Sequence, residues 1–212
     1  MQELDLISDK IRKNFEAKNA ARDAALGMSR ELIRFCSLSI RATHRGERAE
    51  AEQLLAQTRE IAAKMKASVQ GYADLYFTGY VQDALKEMAE AHIVYALING
   101  QSLPDPDNLG VDYAAYLNGM GEAAGELRRY ALDIMRHNGQ MERCEKVLGA
   151  MEDIYSDLVT MDFPDALTGG LRRTTDMVRG VLERTRGDLT VAARQEKLEK
   201  TLSEFEGRFK NS

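Results

Sequence analysis

Three prolines in 212 residues constrain this chain more than any other feature. Proline ends a helix or kinks it, so its position marks where helices stop. Two of the three fall in "LPDPDN" and the third in "DFPD". Between these points Ala, Leu, Glu, Arg and Met predominate, all good helix formers. Apolar residues recur every three or four positions, as one face of a helix requires. The expectation is an all-α chain.

The first long helix is read from about Glu3 to about Thr43, with a candidate kink near Ala25-Leu26-Gly27 and Gly46 as its stop. A second runs from about Glu47 to Val69 and a third from about Ala73 to Asn99. After the loop "QSLPDPDNLG" the fourth reaches from about Val111 to Arg136, and the fifth covers about Gln140 to Leu158. The sixth is read from about Leu171 to Arg186, and Asp188-Leu189-Thr190 reads as the start of a seventh. No internal repeat appears. Short loops favour antiparallel neighbours in one bundle, and helices three and four are expected to be such a pair. Leu171, Met177, Val178, Val181 and Leu182 on the sixth helix are a candidate partner-facing patch.

Hydrophobic residues make up 44% of the chain and charged residues 30%, enough apolar material for a core. The formal net charge of -5 argues against a nonspecific nucleic-acid coat, which needs a basic surface. The longest apolar run, Ala91 to Ile98, is far too short to span a bilayer. The charged, amphipathic "MQELDLISDKIRKNF" does not read as a signal peptide. Cys36 and Cys144 lie in helical patterns with no CxxC, as reduced, buried thiols of a cytoplasmic protein do.

Two acid pairs stand out. In "KEMAEAHIVYAL", Glu87 and Glu90 share a helix face as the segment becomes apolar. Glu90 aligns with Val94 and Leu97, and an acid in such a line needs a partner, a metal or a shifted pKa. In "NGMGEAAGELRR", Glu122 and Glu126 lie one turn apart beside Gly119, Gly121 and Gly125. Glycines within a helix cost stability, so three of them suggest a close approach by a helix or a ligand. If helices three and four pack together, four carboxylates can meet, and such hard oxygen donors suit Mg2+ or Mn2+. The competing reading is solvated glutamates among the 34 acids.

A ferritin-like di-metal bundle wants Glu-x-x-His on two helices. Here Glu90-Ala91-His92 and Asp133 to His137 have the wrong spacing. His92 reads as a core residue with a satisfied hydrogen bond. His44 sits among Arg41, Arg45 and Arg48, where it reads as a solvated helix end, a phosphate contact or an acid–base group. Arg128, Arg129 and Arg136, and Arg172, Arg173 and Arg179 with Arg184 and Arg186, form further basic clusters. Arginine forks match phosphates, although pairing with neighbouring acids explains them equally well. Tyr72, Tyr76, Phe77 and Tyr80 form an aromatic group that reads as core or as a surface on which single-stranded bases stack.

"SIRATHRGERAEAEQLL", "DYAAYLNGMGEAAGELRR" and "FPDALTGGLRRTTDMVRGVLERTRGDLT" together resemble the translin and translin-associated factor X superfamily, in its archaeal-type single-gene form. The resemblance covers about Ile33 to Leu202. It implies a seven-helix, translin-like bundle of long antiparallel helices, with residues 1–212 as one domain. It also implies a homo-oligomeric, octamer-like barrel that binds single-stranded RNA or DNA inside. Translin itself is mainly a binding scaffold, whereas the factor X branch resembles a Mg2+-dependent endoribonuclease and carries E-x-x-E where translin does not. By that pattern Glu90 and Glu126 match metal ligands and Glu87 a catalytic carboxylate. Glu122 stands where the family has aspartate, one methylene longer. Asp83 is a further candidate acid.

The leading expectation is a Mg2+- or Mn2+-dependent endoribonuclease for short single-stranded RNA. Its catalytic group would be Glu87, Glu90, Glu122 and Glu126. Its nucleic-acid contacts would be Arg41, His44, Arg45, Arg48, Arg128, Arg129, Arg172 and Arg173. The runner-up is a translin-like oligomer that binds single strands without cutting them. A third reading is a plain helical scaffold.

Overall fold

The computed structural model describes residues 2–136 and 140–210. Among them it has no strand and nine helices: α1 (Gln2–His44), α2 (Arg48–Ser68), α3 (Ala73–Tyr76), α4 (Gly79–Ile98), α5 (Pro106–Leu109), α6 (Tyr113–Met135), α7 (Met141–Thr160), α8 (Asp165–Thr168) and α9 (Leu171–Lys210). The expected all-α class holds, and six long helices carry the architecture. His137 lies outside the described residues.

Segmentation differs from the sequence reading at three places. α1 runs unbroken through the candidate kink, with Ala25 fully buried and Gly27 open to solvent. The third helix is interrupted at Phe77-Thr78, where Thr78 takes an extended backbone just ahead of α4 and its hydroxyl donates back to the Leu75 carbonyl at 2.6 Å. The sixth and seventh helices are one. Asp188 does not cap a new helix there, because its carboxylate pairs with Arg128 at 2.8 Å. Leu189 is buried, and the Thr190 hydroxyl donates back to the Arg186 carbonyl.

Helix directions follow from the cross-helix contacts. α1–α2 and α6–α7 are antiparallel pairs joined by short connections, as expected. α4 and α6 are not. The Tyr76 hydroxyl, just before α4, donates to Asp112 at the start of α6 (2.6 Å), and Lys86 meets Glu122 further along both helices (2.6 Å). The two helices therefore run parallel. The stretch from Asn99 to Asp112 is long enough to carry the chain back along α4, since an extended chain spans about 3.3–3.6 Å per residue. The antiparallel expectation failed because it assumed a short connection.

One apolar core draws on α1, α2, α4, α6, α7 and α9. Leu171, Val178, Val181 and Leu182 belong to it, so the patch expected to face a partner packs inside its own chain, and only Met177 is partly exposed. Exposed apolar stripes lie elsewhere: Leu4, Ile7, Ile11 and Phe15 on α1, and Val191, Leu198 and Leu202 on α9.

Candidate metal centre

α4 supplies Glu87 and Glu90, and α6 supplies Glu122. Glycine makes the approach possible. A Cβ at Gly119 would lie 2.5 Å from the Lys86 carbonyl oxygen and 3.1 Å from the Glu90 nitrogen. At Gly121 it would run into the Thr174 methyl of α9. The close approach read from the glycines of "NGMGEAAGEL" thus occurs at Gly119 and Gly121. A Cβ at Gly125 would meet nothing within 4 Å outside its own helix backbone.

With α6 this close to α4, Glu87, Glu90 and Glu122 each bring one carboxylate oxygen into a group whose members all lie within 4.8 Å of one another. Glu90 is buried, at 8% exposure. Burial, followed by the charges of Glu87, Glu122 and Glu126, pushes its pKa up to about 8. Burial and the Glu122 charge also raise Glu87. α1 closes one side of the site. The Cys36 thiol is pushed far up, by burial first and then by the charges of Glu87 and Glu90.

Two basic groups touch the cluster. Lys86 holds Glu122. Burial is the largest influence and works against the Lys86 charge, but the hydrogen bond to Glu122 and the charges of Glu122, Glu87 and Asp83 together outweigh it and raise the pKa. Nothing in the sequence marks Lys86, because the pairing depends on the register of α4 against α6. Glu126 is turned toward His44, with Oε2 and Nε2 3.2 Å apart. His44 holds the Glu126 carboxyl below its ordinary range. The two atoms are poorly aligned, and both are buried without a hydrogen bond. Asp83 is exposed and adds negative charge near Glu87.

A divalent cation fits this donor set. Three hard carboxylate oxygens converge, one on a buried side chain that resists ionising alone, and Glu126 has a buried oxygen to spare. The structure thus brings Glu87, Glu90 and Glu122 into one group and places Glu126 beside it, facing His44.

The remaining histidine is structural. The Thr58 hydroxyl donates to the Leu55 carbonyl and lies 3.0 Å from His92 Nε2, and burial pushes the His92 pKa down to about 3. Most of the arginines singled out in the sequence are engaged within the chain. Arg45 pairs with Glu47, Arg48 with Glu52, Arg128 with Asp188 and Arg172 with Asp162. Arg129 is exposed, 3.9 Å from Glu126. The exposed pairs of Arg45, Arg48, Arg129 and Arg172 are worth at most about 1 kcal/mol each and exchange readily for phosphate, whereas Arg128 is half-buried and also donates to the Thr185 hydroxyl at 3.1 Å. Arg41 is exposed at the end of α1, and Arg173 lines a cleft of about 950 Å³ beside Glu122.

No family model matches the chain. The uncharacterized protein MJ0175 of Methanocaldococcus jannaschii is 30% identical over 186 residues, 87% of this chain and 82% of that protein. A structure of AfC3PO in complex with duplex RNA superposes with a TM-score of 0.81 at 38% identity, covering 88% of this chain and 96% of that one. A crystal structure of AfC3PO matches equally well at 37% identity, covering 88% and 97%. Apo-NeC3PO shares the fold, with a TM-score of 0.74 at 23% identity over 91% of this chain and 98% of that one. Together with the residue pattern in α6 and α9, these similarities show that the chain belongs to the translin and translin-associated factor X family.

Proposed function

We propose that this protein is a metal-dependent endoribonuclease of the factor X branch, acting in the cytoplasm on short single-stranded RNA. In this reading residues 1–212 form one translin-like domain, and copies assemble into a barrel, octameric by the family pattern. The observation that carries the proposal is the convergence of Glu87, Glu90 and Glu122 around a buried position. Carboxylates crowded this way repel one another unless a cation joins them.

Glu90 and Glu126 would hold Mg2+ or Mn2+, with Glu122 beside them. Bound there, the ion would polarise a phosphoryl oxygen and lower the pKa of a water. Glu87, the less buried acid of α4, would orient the attacking water and accept its proton. Lys86 would hold Glu122 in place. Arg41, Arg129 and Arg173, which have weak or no carboxylate partners among the described residues, would take substrate phosphates. Arg45, Arg48 and Arg172 would exchange surface partners for phosphate, Arg128 would meet phosphate from its half-buried place between Asp188 and Thr185, and His44 would meet the strand at the end of α1. The exposed stripes on α1 and α9 supply apolar surface for assembly.

One observation favours the binding-only reading. Glu126 lies against His44 and Glu122 pairs with Lys86, so two of the four acids already have a basic neighbour within the chain. The experiment that separates the readings incubates purified protein with labelled single-stranded or duplex RNA in Mg2+, in Mn2+ or in EDTA. The duplex arm is included because AfC3PO was solved with duplex RNA. The proposal expects single strands to be cut in the metal-containing arms only. Binding without cleavage in every arm would establish the binding-only reading instead.

A further inference from the structure

Phe77 and Tyr113 are 67% and 63% exposed, and both line the cleft of about 950 Å³ that reaches Glu122. A specific contact brings them there. The Tyr76 hydroxyl donates to Asp112, which ties the end of α3 to the start of α6 and places the next residue of each segment at one opening. Tyr76 itself packs on the core, whereas Phe77 stands edge-on to it at 4.9 Å with its ring outward. The Tyr113 hydroxyl is held by Asp107 at 3.3 Å. Arg173 lies on the same cleft and pairs with no carboxylate among the described residues. Lys86 lines it as well, next to the acid group.

We propose that this cleft seats the nucleotide next to the phosphate held at the acid group, with its base stacked on Phe77 and Tyr113 and its own phosphate on Arg173. The inference rests on the nucleic-acid reading of the acid site and adds the feature that selects unpaired bases. A nucleotide offers a flat π-face and an anion in one ligand, which matches two exposed rings beside a free guanidinium. An apolar side chain from another protein would cover the rings but leave Arg173 and Glu122 desolvated, at a cost. The volume lies within the usual range for ligand clefts, about 300–1,000 Å³. Bases buried in a duplex cannot reach the rings, so the cleft favours single strands.

The test measures binding in EDTA, where cleavage is off, for wild type, Phe77→Ala, Tyr113→Ala and Arg173→Ala. The probes are a single-stranded RNA decamer, a duplex of the same sequence and an abasic ribose-phosphate decamer. Each ring deletion should weaken single-strand binding about tenfold and leave the abasic probe unchanged, because stacking is lost and charge is not. Arg173→Ala should weaken both single-stranded probes and reduce the salt slope by about one. Wild-type affinity for the single strand in both ring variants overturns the inference while the acid-site reading stands. Light scattering of the same samples supplies a second check. A drop in assembly mass in Phe77→Ala or Tyr113→Ala would make the cleft a contact between copies and overturn it as well. No RNA binding by wild type would instead remove the nucleic-acid reading on which it rests.

Discussion

Gly119 of α6 lies against the backbone of α4 so closely that a Cβ there would sit 2.5 Å from the Lys86 carbonyl oxygen. This contact sets the distance between the two helices that carry the acids. Alanine at Gly119 would gain about 1 kcal/mol of helix propensity. It would lose about 1–3 kcal/mol to overpacking, and the larger end applies because the neighbours are backbone atoms that cannot rotate away. Gly119→Ala should lower the melting temperature and weaken Mn2+ binding. Gly125→Ala is the control, since a Cβ there would meet nothing within 4 Å outside its own helix backbone. It should stabilise by up to about 1 kcal/mol. Calorimetric melting of the two variants checks both signs, and a stabilised Gly119→Ala would refute the close approach.

Glu90 supplies a pH dependence with a definite sign. Its pKa rises from 4.5 to about 8 on folding. Between those values the folded chain holds a proton that the unfolded chain releases. The contribution of Glu90 is fully present below pH 4.5 and is lost as pH rises through 8. The melting temperature of EDTA-treated protein should therefore fall from about pH 5 to about pH 8.5, and Glu90→Gln should flatten that fall. Millimolar Mg2+ should restore most of the loss at the alkaline end, because the cation binds the deprotonated carboxylates. A melting temperature of the EDTA-treated protein that is independent of pH over this window would contradict the crowded-acid geometry.

Assembly should depend on the free stripe of α1. Ile7 and Ile11 are 55% and 49% exposed on one helix face with Leu4 and Phe15. Ile7→Asp with Ile11→Asp puts two charges on that face and touches no core residue, so folding should be kept while assembly is lost. Circular dichroism and light scattering at micromolar concentration separate the two effects. Unchanged mass in the double variant would move the interface to another surface.

RNA binding should fall steeply with salt, because each arginine–phosphate contact releases counterions. The slope of log affinity against log salt, measured in EDTA, reports the number of such contacts. A flat slope would contradict a role for Arg41, Arg129 and Arg173 in holding phosphates.

Much of this architecture is legible in the sequence because helices leave local traces. The scarcity of proline and the three-to-four periodicity place both ends of α1, α2, α6 and α7 within a few residues, and the stop at Asn99-Gly100 places the end of α4. Glu90 is legible as a problem, since it aligns with Val94 on a buried face. Gly119 is legible as a close approach but not as an approach to Lys86, because spacing within one helix carries no register against another. For the same reason the parallel course of α4 and α6, the Lys86–Glu122 pair and the turn of Glu126 toward His44 are not readable from spacing. Asp188-Leu189-Thr190 misleads because an N-cap signature and a helix-interior ion pair use the same residue types. Whether Asp188 caps or pairs is decided by Arg128, sixty positions earlier in the chain.

The central claim is that the acid group of α4 and α6 holds the ion that cuts RNA. It is tested most directly by the rate at which Glu90→Gln cleaves a labelled single-stranded RNA in Mg2+, beside wild type. The substitution keeps side-chain size and removes the charge. Loss of an outer-sphere partner typically costs about 10–100-fold in metal affinity or activity, so loss of a direct ligand should cost at least ~100-fold. RNA affinity in EDTA should remain at the wild-type level or tighten slightly, since one negative charge is gone. Cleavage by Glu90→Gln at the wild-type rate, with wild type active, would contradict the account.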